Sequence, residues 1–439
     1  MATVIRDALI VTMNASDDIV RGDVKIEGNT ITAVGGRQDP DGGRVIEAGG
    51  RVLLPGFVQT HVHLCQTLFR GCADDLELMD WLRKRIWPLE AAHDEESVYW
   101  SALLGAGELI RSGTTTILDM ETVRHTDSAF EAIRECGIRA VSGKAMMDHG
   151  DQVPPTLMEK TADSLEESVR LLEKWDGAAG GRIRYAFSPR FVVSCTGELL
   201  TAVRDLAEHY RVPVHTHAAE NREEIAVVEA ERGMRNVVYL DAIGLARPNL
   251  ILAHAIWLDE EEKRIIRERG VKVTHCPGSN LKLASGVADV PALVDAGVPV
   301  GFGADGAPCN NNLDMFQEMR LASFIQKVRL GPTAMDARRV LRMATMGGAK
   351  VLGMENLIGS IEPGKRADLQ ILDLEDFHVY PSFGADPYSR IVYAATRGDV
   401  DTVMIDGEIV MEGKVVRTID KARVLREADR CLARLMERI

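Results

Sequence analysis

The run Val52-Leu53-Leu54-Pro55-Gly56-Phe57-Val58-Gln59-Thr60-His61-Val62-His63-Leu64 carries an apolar, strand-like segment into two histidines at i and i+2. Side chains alternate sides along a β-strand, so His61 and His63 point the same way and both imidazoles can reach one metal ion. A lone His-x-His pair is as readily chance as chemistry. Context raises it, because later apolar runs in the chain also end in His, Asp or Glu.

Upstream of this run, residues 7–13, 23–26, 31–34 and 44–48 read as short strands punctuated by Gly28-Asn29 and Gly42-Gly43. Beyond Gly56 the texture changes. Eight short apolar runs follow, at 57–62, 114–118, 140–146, 183–187, 212–217, 250–254, 271–275 and 298–303, with helical patterns between most of them. One helix spans 259–269, with Asp259 as N-cap, Glu262 three residues on and Gly270 just past the end. Another spans 198–210, with Leu199, Val203 and Leu206 on one face. Eight strand–helix repeats predict an α/β fold, a (β/α)8 TIM barrel. No glycine-rich phosphate fingerprint follows the first strand, which counts against a dinucleotide fold. Strand texture returns at 367–372, 390–395, 402–405 and 408–411. The expected organisation is a barrel over 57–361 and a small β-sandwich domain built from both chain ends, 1–56 and 362–439. Its last segment, 420–439, reads as a packed helix.

A chain of 439 residues with 46% hydrophobic content has ample material for that core. Its 52 basic and 66 acidic residues give a net charge of −14, without the basic cluster that nucleic acid or an anionic membrane requires. No apolar run reaches the roughly 18–20 residues of a membrane span, and no signal-like start is present. The seven cysteines (65, 72, 136, 195, 276, 309 and 431) form no Cys-x-x-Cys pair, which excludes the usual structural zinc patterns and argues against a disulfide framework. A reduced, cytoplasmic protein is expected.

In such a barrel the C-terminal strand ends converge on the active face. Those ends offer His61 and His63, then His215 and His217 leading into Glu220, then His254, His275 and Asp305. Six of the 11 histidines fall there. Neutral imidazoles with one carboxylate suit zinc or iron(II) with a position left for water, whose pKa such an ion lowers to about 7. The fourth strand ends Ala186-Phe187-Ser188-Pro189-Arg190, with no lysine or carboxylate to bridge a second metal, so a mononuclear site is expected. Structural zinc sites are closed and cysteine-rich, which disfavours that alternative. Spacing alone does not choose between His215 and His217; His217 is nearer the strand end. His93, His125, His149, His209 and His378 fall elsewhere and read as surface or packing residues.

Leu54-Pro55-Gly56-Phe57-Val58-Gln59-Thr60-His61-Val62-His63, His217-Ala218-Ala219-Glu220, Leu252-Ala253-His254, Thr274-His275-Cys276-Pro277-Gly278-Ser279-Asn280 and Gly303-Ala304-Asp305-Gly306-Ala307 together resemble the amidohydrolase superfamily. Within it they resemble the purine deaminases and s-triazine hydrolases. The resemblance runs over nearly the whole chain. It implies that His61, His63, His217 and Asp305 hold one divalent ion per subunit, zinc first and iron(II) second. It also implies that Glu220 shuttles protons, that His254 holds substrate or water, and that Asp305 takes a proton from that water. The segment 69–90 resembles deaminases of S-adenosylhomocysteine, methylthioadenosine and 5′-deoxyadenosine, where the residue matching Glu90 binds the ribose hydroxyls; Trp81 and Trp87 either cover the purine or pack the lid.

Two departures bear on the substrate. Only Lys144 supplies a basic residue after the third strand, which disfavours S-adenosylhomocysteine. Ser188-Pro189-Arg190-Phe191 also resembles guanine deaminases, whose matching arginine contacts the base. The expected activity is hydrolytic removal of the 6-amino group of small-molecule adenine nucleosides, with guanine deamination or s-triazine hydrolysis as the alternative. A homo-oligomer, dimer or tetramer, follows from the resemblance alone. A barrel that had lost its chemistry and served only in binding should lack a ligand or Glu220, and none is missing.

Overall fold

The computed structural model describes residues 2–150 and 153–439. Eight strands form its centre: β1 (Phe57–His63), β2 (Thr114–Glu121), β3 (Arg139–Met146), β4 (Ile183–Tyr185), β5 (Val214–Ala218), β6 (Leu250–His254), β7 (Lys272–His275) and β8 (Val300–Phe302). Neighbours pair in parallel, and β8 returns to β1 through Phe302 and Gln59. The β4–β5 seam is narrower, closed by bridges from Phe187 to Val214 and from Phe191 to His217. The result is a (β/α)8 barrel. All of β1, β2 and β3 is buried, as expected where helices cover one face of a parallel sheet and side chains fill the other. The helix Glu260–Arg269 shows how local signals set its ends. Asp259 accepts from the Glu262 N–H at its start, and Gly270 ends it at φ 67°.

A second sheet of nine strands is drawn from both chain ends. Ala2–Val11, Ile19–Glu27, Thr30–Val34, Arg44–Glu47 and Val52–Pro55 come from the front; Leu369–Leu372, Val400–Ile405, Glu408–Glu412 and Val415–Val416 come from the rear. Val52–Pro55 is the seam, parallel to Ala2–Val11 and antiparallel to Leu369–Leu372. Its side chains alternate between two cores. Leu53 joins Ile10, Ile26, Ile371 and Met404 in a core private to the sheet. Val52 and Leu54 join the large core shared with the barrel. The apolar run 52–58 is thus split at Gly56 between sheet and barrel. A Cβ on Gly56 would lie 2.1 Å from Thr115 Cγ2, so only glycine admits this approach.

The two layers are also pinned by charge. Arg139, at the start of β3, donates from Nε to Asp368 Oδ2 (2.6 Å) and from Nη2 to Asp368 Oδ1 (3.0 Å) and Asp406 Oδ1 (2.9 Å). Arg139 and Asp368 are both buried.

Residues 390–395, expected to be a strand, are helical over Pro387–Ser389 and Arg390–Ala394. The β-branched pair Ile391-Val392 suggested a strand. The buried positions are Tyr388, Ile391, Val392 and Ala395, which is the i, i+3, i+4, i+7 spacing of a helix. The last helix, Lys421–Met436, buries Val424, Ala428, Cys431 and Leu435 and lies against helix Glu95–Arg111, with Arg434 paired to Glu96 Oε2 at 2.8 Å.

Candidate active site

Five polar side chains converge at the C-terminal mouth of the barrel, and the sequence around each fixes its direction. β1 delivers His61 and His63 to the same side. His63 Nδ1 donates to the Met120 carbonyl on β2 at 2.7 Å, and His217 Nδ1 donates to the Arg190 carbonyl at 2.7 Å. His254 Nδ1 donates to Asn280 Oδ1 at 2.8 Å. Each of these bonds consumes the Nδ1 proton of a neutral ring and leaves an Nε2 lone pair facing inward. His61 Nδ1 lies 2.9 Å from His215 Nε2, one layer deeper.

Asp305 completes the set. Its Oδ1 lies 3.2 Å from His61 Nε2 and 3.3 Å from His63 Nε2, while Oδ2 accepts from Ser279 Oγ at 2.7 Å. Asp305 (φ 62°) and His254 (φ 71°) both hold left-handed backbone, which for non-glycine residues clusters at functional positions. One ligand atom each from His61, His217, His254 and Asp305 falls within a 4.8 Å span. His63 Nε2 is 3.3 Å from His217 Nε2, so it belongs to the same cluster.

This arrangement fits a divalent cation. The Nε2 atoms of His63 and His217 face each other at 3.3 Å, and a carboxylate oxygen of Asp305 faces Nε2 of both His63 and His61. His61 Nε2 and His254 Nε2 are buried without a hydrogen-bond partner among the described residues. Such a convergence of acceptors is repulsive unless positive charge lies among them. The carbonyl bonds to the far side of His63 and His217 match the outer support that metal-ligating histidines use to fix their tautomer. Burial pushes His61 down to about 4, which keeps it a neutral donor at physiological pH. Burial alone would raise Asp305, but its ring-nitrogen neighbours, His61 first and then His63, hold it well below the usual carboxylate range whenever one of them carries a proton.

Glu220 lies beside this cluster, its Oε2 3.6 Å from His254 Nε2. Burial pushes its carboxyl well above the usual range, and Asp305 and Glu224 add to the effect, which favours its protonated form. The pocket above is lined by Leu78, Trp81, Leu82 and Phe191 on its apolar side and by Gln66, Arg190, Glu220, His254 and Asp305 on its polar side. A carboxyl group raised by burial, a carboxylate and a cluster of inward-facing imidazoles thus face one apolar slot. That combination can hydrolyse a bond at an electron-poor ring carbon.

The structure brings together His61, His63, His217, His254, Asp305, Glu220, Trp81 and Arg190. Trp87 and Glu90 are buried but are not among the pocket-lining residues. Glu90 instead accepts from Arg190 Nη1 (2.5 Å) and Nη2 (3.1 Å), and from Gln66 Nε2 (2.8 Å). Lys144 is buried against Glu159 at 2.7 Å. His275 is buried against Phe302, with neither ring nitrogen bonded. Gln66, Ser279 and Asn280 were missed as site residues. Gln66 stands one turn beyond His63, and the other two stand inside the quoted motif after β7, so position relative to a strand end could have found all three.

The fold and site define a metal-dependent barrel hydrolase, and the comparisons agree. The amidohydrolase family model matches residues 52–410, and the chain belongs to that family. A 5′-deoxyadenosine deaminase of Methanobrevibacter smithii is 42% identical over 436 residues, 99% of this chain and 98% of its own length. A 5-methylthioadenosine/S-adenosylhomocysteine deaminase of Pelotomaculum thermopropionicum is 41% identical over 440 residues, 99% of each chain. Among solved structures, an adenosine deaminase from Xanthomonas campestris with bound zinc superposes with a TM-score of 0.91 at 33% identity, covering 99% of this chain and 98% of that one.

Proposed function

We propose that this chain is a metal-dependent deaminase that hydrolyses the 6-amino group of adenine nucleosides to ammonia and the inosine analogue. The observation that carries the proposal is the inward convergence of histidine lone pairs on Asp305, beside the buried carboxyl of Glu220. The names of the full-length relatives support the substrate class. His61, His63, His217 and Asp305 would hold the ion, and the zinc in the similar solved structure favours zinc over iron(II). When bound, a divalent ion there supplies Lewis acidity toward water.

The protein groups then act as follows. Leu78, Trp81, Leu82 and Phe191 grip the base and exclude bulk water. Asp305 takes a proton from the attacking water, and His254, held by Asn280, orients that water or the ring. Glu220 protonates the ring nitrogen next to the amino-bearing carbon. As the carbon–oxygen bond forms the ring loses aromaticity; as the carbon–nitrogen bond breaks, the amine leaves as ammonia with the proton held by Asp305, and Glu220 recovers its own proton from the new hydroxyl as that becomes the carbonyl. 5′-Deoxyadenosine, methylthioadenosine and adenosine lead the substrate list. The burial of Lys144 against Glu159 supports the lower rank of S-adenosylhomocysteine, since it removes the one basic residue named for the homocysteine carboxylate. The seven unpaired cysteines support a reducing compartment, the cytoplasm.

One observation favours a second substrate. Both Glu90 oxygens are occupied by Arg190 and Gln66, whereas those two residues line the pocket themselves. That suits recognition of a purine base more than of a ribose diol, and it keeps guanine in view. Ammonia release by the metal-loaded protein, across adenine nucleosides, guanine and a chlorotriazine, tests both. Turnover of adenine nucleosides is expected; turnover of guanine with none of any adenine nucleoside reverses the ranking.

A further inference from the structure

Glu318 is a fully buried carboxylate that the chemistry above does not use. It sits on helix Met315–Leu330, which follows β8, and both its oxygens are committed. Oε2 accepts from the Gly278 N–H at 2.9 Å, and Oε1 accepts from Asn310 Nδ2 at 2.8 Å. Each partner leads into the site by one residue. Gly278 precedes Ser279, whose hydroxyl donates to Asp305, and Asn280, whose carboxamide holds His254. Asn310 Nδ2 also donates to the Ala304 carbonyl at 2.9 Å, and Ala304 precedes Asp305.

The local sequence needs this support. Gly278 lies in the first turn of the short helix Pro277–Lys282, whose N-cap, Cys276, offers no side-chain acceptor. Without Glu318 the Gly278 N–H would lose its buried partner, which is unfavourable and frees the turn to shift. The fit is close. A Cβ at Gly278 would stand 2.5 Å from Glu318 Oε1 and 2.7 Å from Asn310 Nδ2, so glycine is required for the carboxylate to reach the backbone. Two segments from different barrel strands, both in strained or tightly turned backbone, are thereby tied to one side chain.

We propose that Glu318 is a positioning residue that sets the orientation of Asp305 and His254 by clamping the β7 and β8 loops together. This rests on the site assignment above. Glu318→Gln keeps the volume but turns one acceptor into an NH2 that faces another donor. We expect it to weaken Zn²⁺ affinity, read by chelator competition, by about tenfold or more, as loss of outer support does elsewhere. We expect kcat to fall by a similar factor with KM within about threefold. Gly278→Ala displaces the same carboxylate without changing its charge and carries the same expectation, so it also stands in should Glu318→Gln not fold. The double variant should be no worse than the weaker single, because both break one contact.

A purely structural role would lower Tm while leaving metal affinity and kcat per loaded site intact, and that result overturns the proposal. If the wild-type protein takes up no metal, the site assignment falls, not Glu318. The crystal structures of the wild type and Glu318→Gln then decide: displacement of Asp305 or His254 supports the clamp, and unmoved side chains refute it.

Discussion

Glu220 and Asp305 are two carboxyl groups in one pocket, pushed in opposite directions. Burial drives Glu220 up, while the histidines hold Asp305 down. Divergent environments of this kind fit the proposed roles, with the proton donor on one residue and the standing negative charge on the other. Glu220→Gln should therefore keep its metal, measured by elemental analysis, and lose on the order of 10³-fold or more in kcat. The buried pair Glu90–Arg190 belongs to the same scale. Removing either partner leaves a lone buried charge, and each of Glu90→Gln and Arg190→Met should cost about 3–5 kcal/mol in urea denaturation. The double variant should cost less than the two singles together, because the second removal relieves the first. His61 and His63 were legible because their spacing along a strand dictates a shared direction, whereas spacing left His215 and His217 equal and only nearness to the strand end favoured His217. The Glu90–Arg190 contact was not, because the two residues meet only across the barrel mouth and leave no local period.

At the scale of elements, the site depends on where strands stop and how the chain turns afterwards. β6 ends in left-handed backbone at His254, and Asp305 holds the same conformation beyond β8. Neither conformation shows in an apolar run, so the sequence announced these strands without showing how their ends turn inward. The helix at 387–394 was hidden for another reason, since a short β-branched run satisfies both periods. The helix that carries Glu318 yields a pH prediction. Burial raises that carboxyl from its ordinary value to about 7, with Asp314 and Asp305 adding to it against the donors Asn310 and Gly278. The sign follows from proton linkage. A folded-state pKa above the unfolded one favours folding below about pH 4.5, and that advantage is lost as pH rises through about 7. Glu318→Gln lacks this dependence. The Tm of wild type relative to the variant should thus fall between pH 5 and 8, by a stability change of about 3 kcal/mol at most. A constant gap would mean that Glu318 does not change its proton there.

At the scale of the molecule, the barrel and the composite sheet share one core and one buried ionic joint. Arg139→Met should strand Asp368 beneath the sheet and cost about 3–5 kcal/mol, read as a shift in denaturation midpoint. Metal should stabilise the whole chain by mass action. Chelation should lower Tm and abolish turnover, and added Zn²⁺ should restore both, with about 2.7 kcal/mol of stabilisation at a hundredfold excess over Kd. The barrel was readable from eight repeats, each a local signal. The sheet was readable only as texture at the two ends, because its register is set by pairing between distant segments. That pairing has a consequence during synthesis. Val52–Pro55 is made early, yet its antiparallel partner Leu369–Leu372 leaves the ribosome only after the entire barrel has been translated. Until then one strand edge stands open and Arg139 faces no counter-charge, so the barrel must be gathered around an unsealed lid. The nascent chain is therefore most prone to wrong pairing just before its last strands emerge, and shielding of that edge should matter more to yield than any step in the barrel itself.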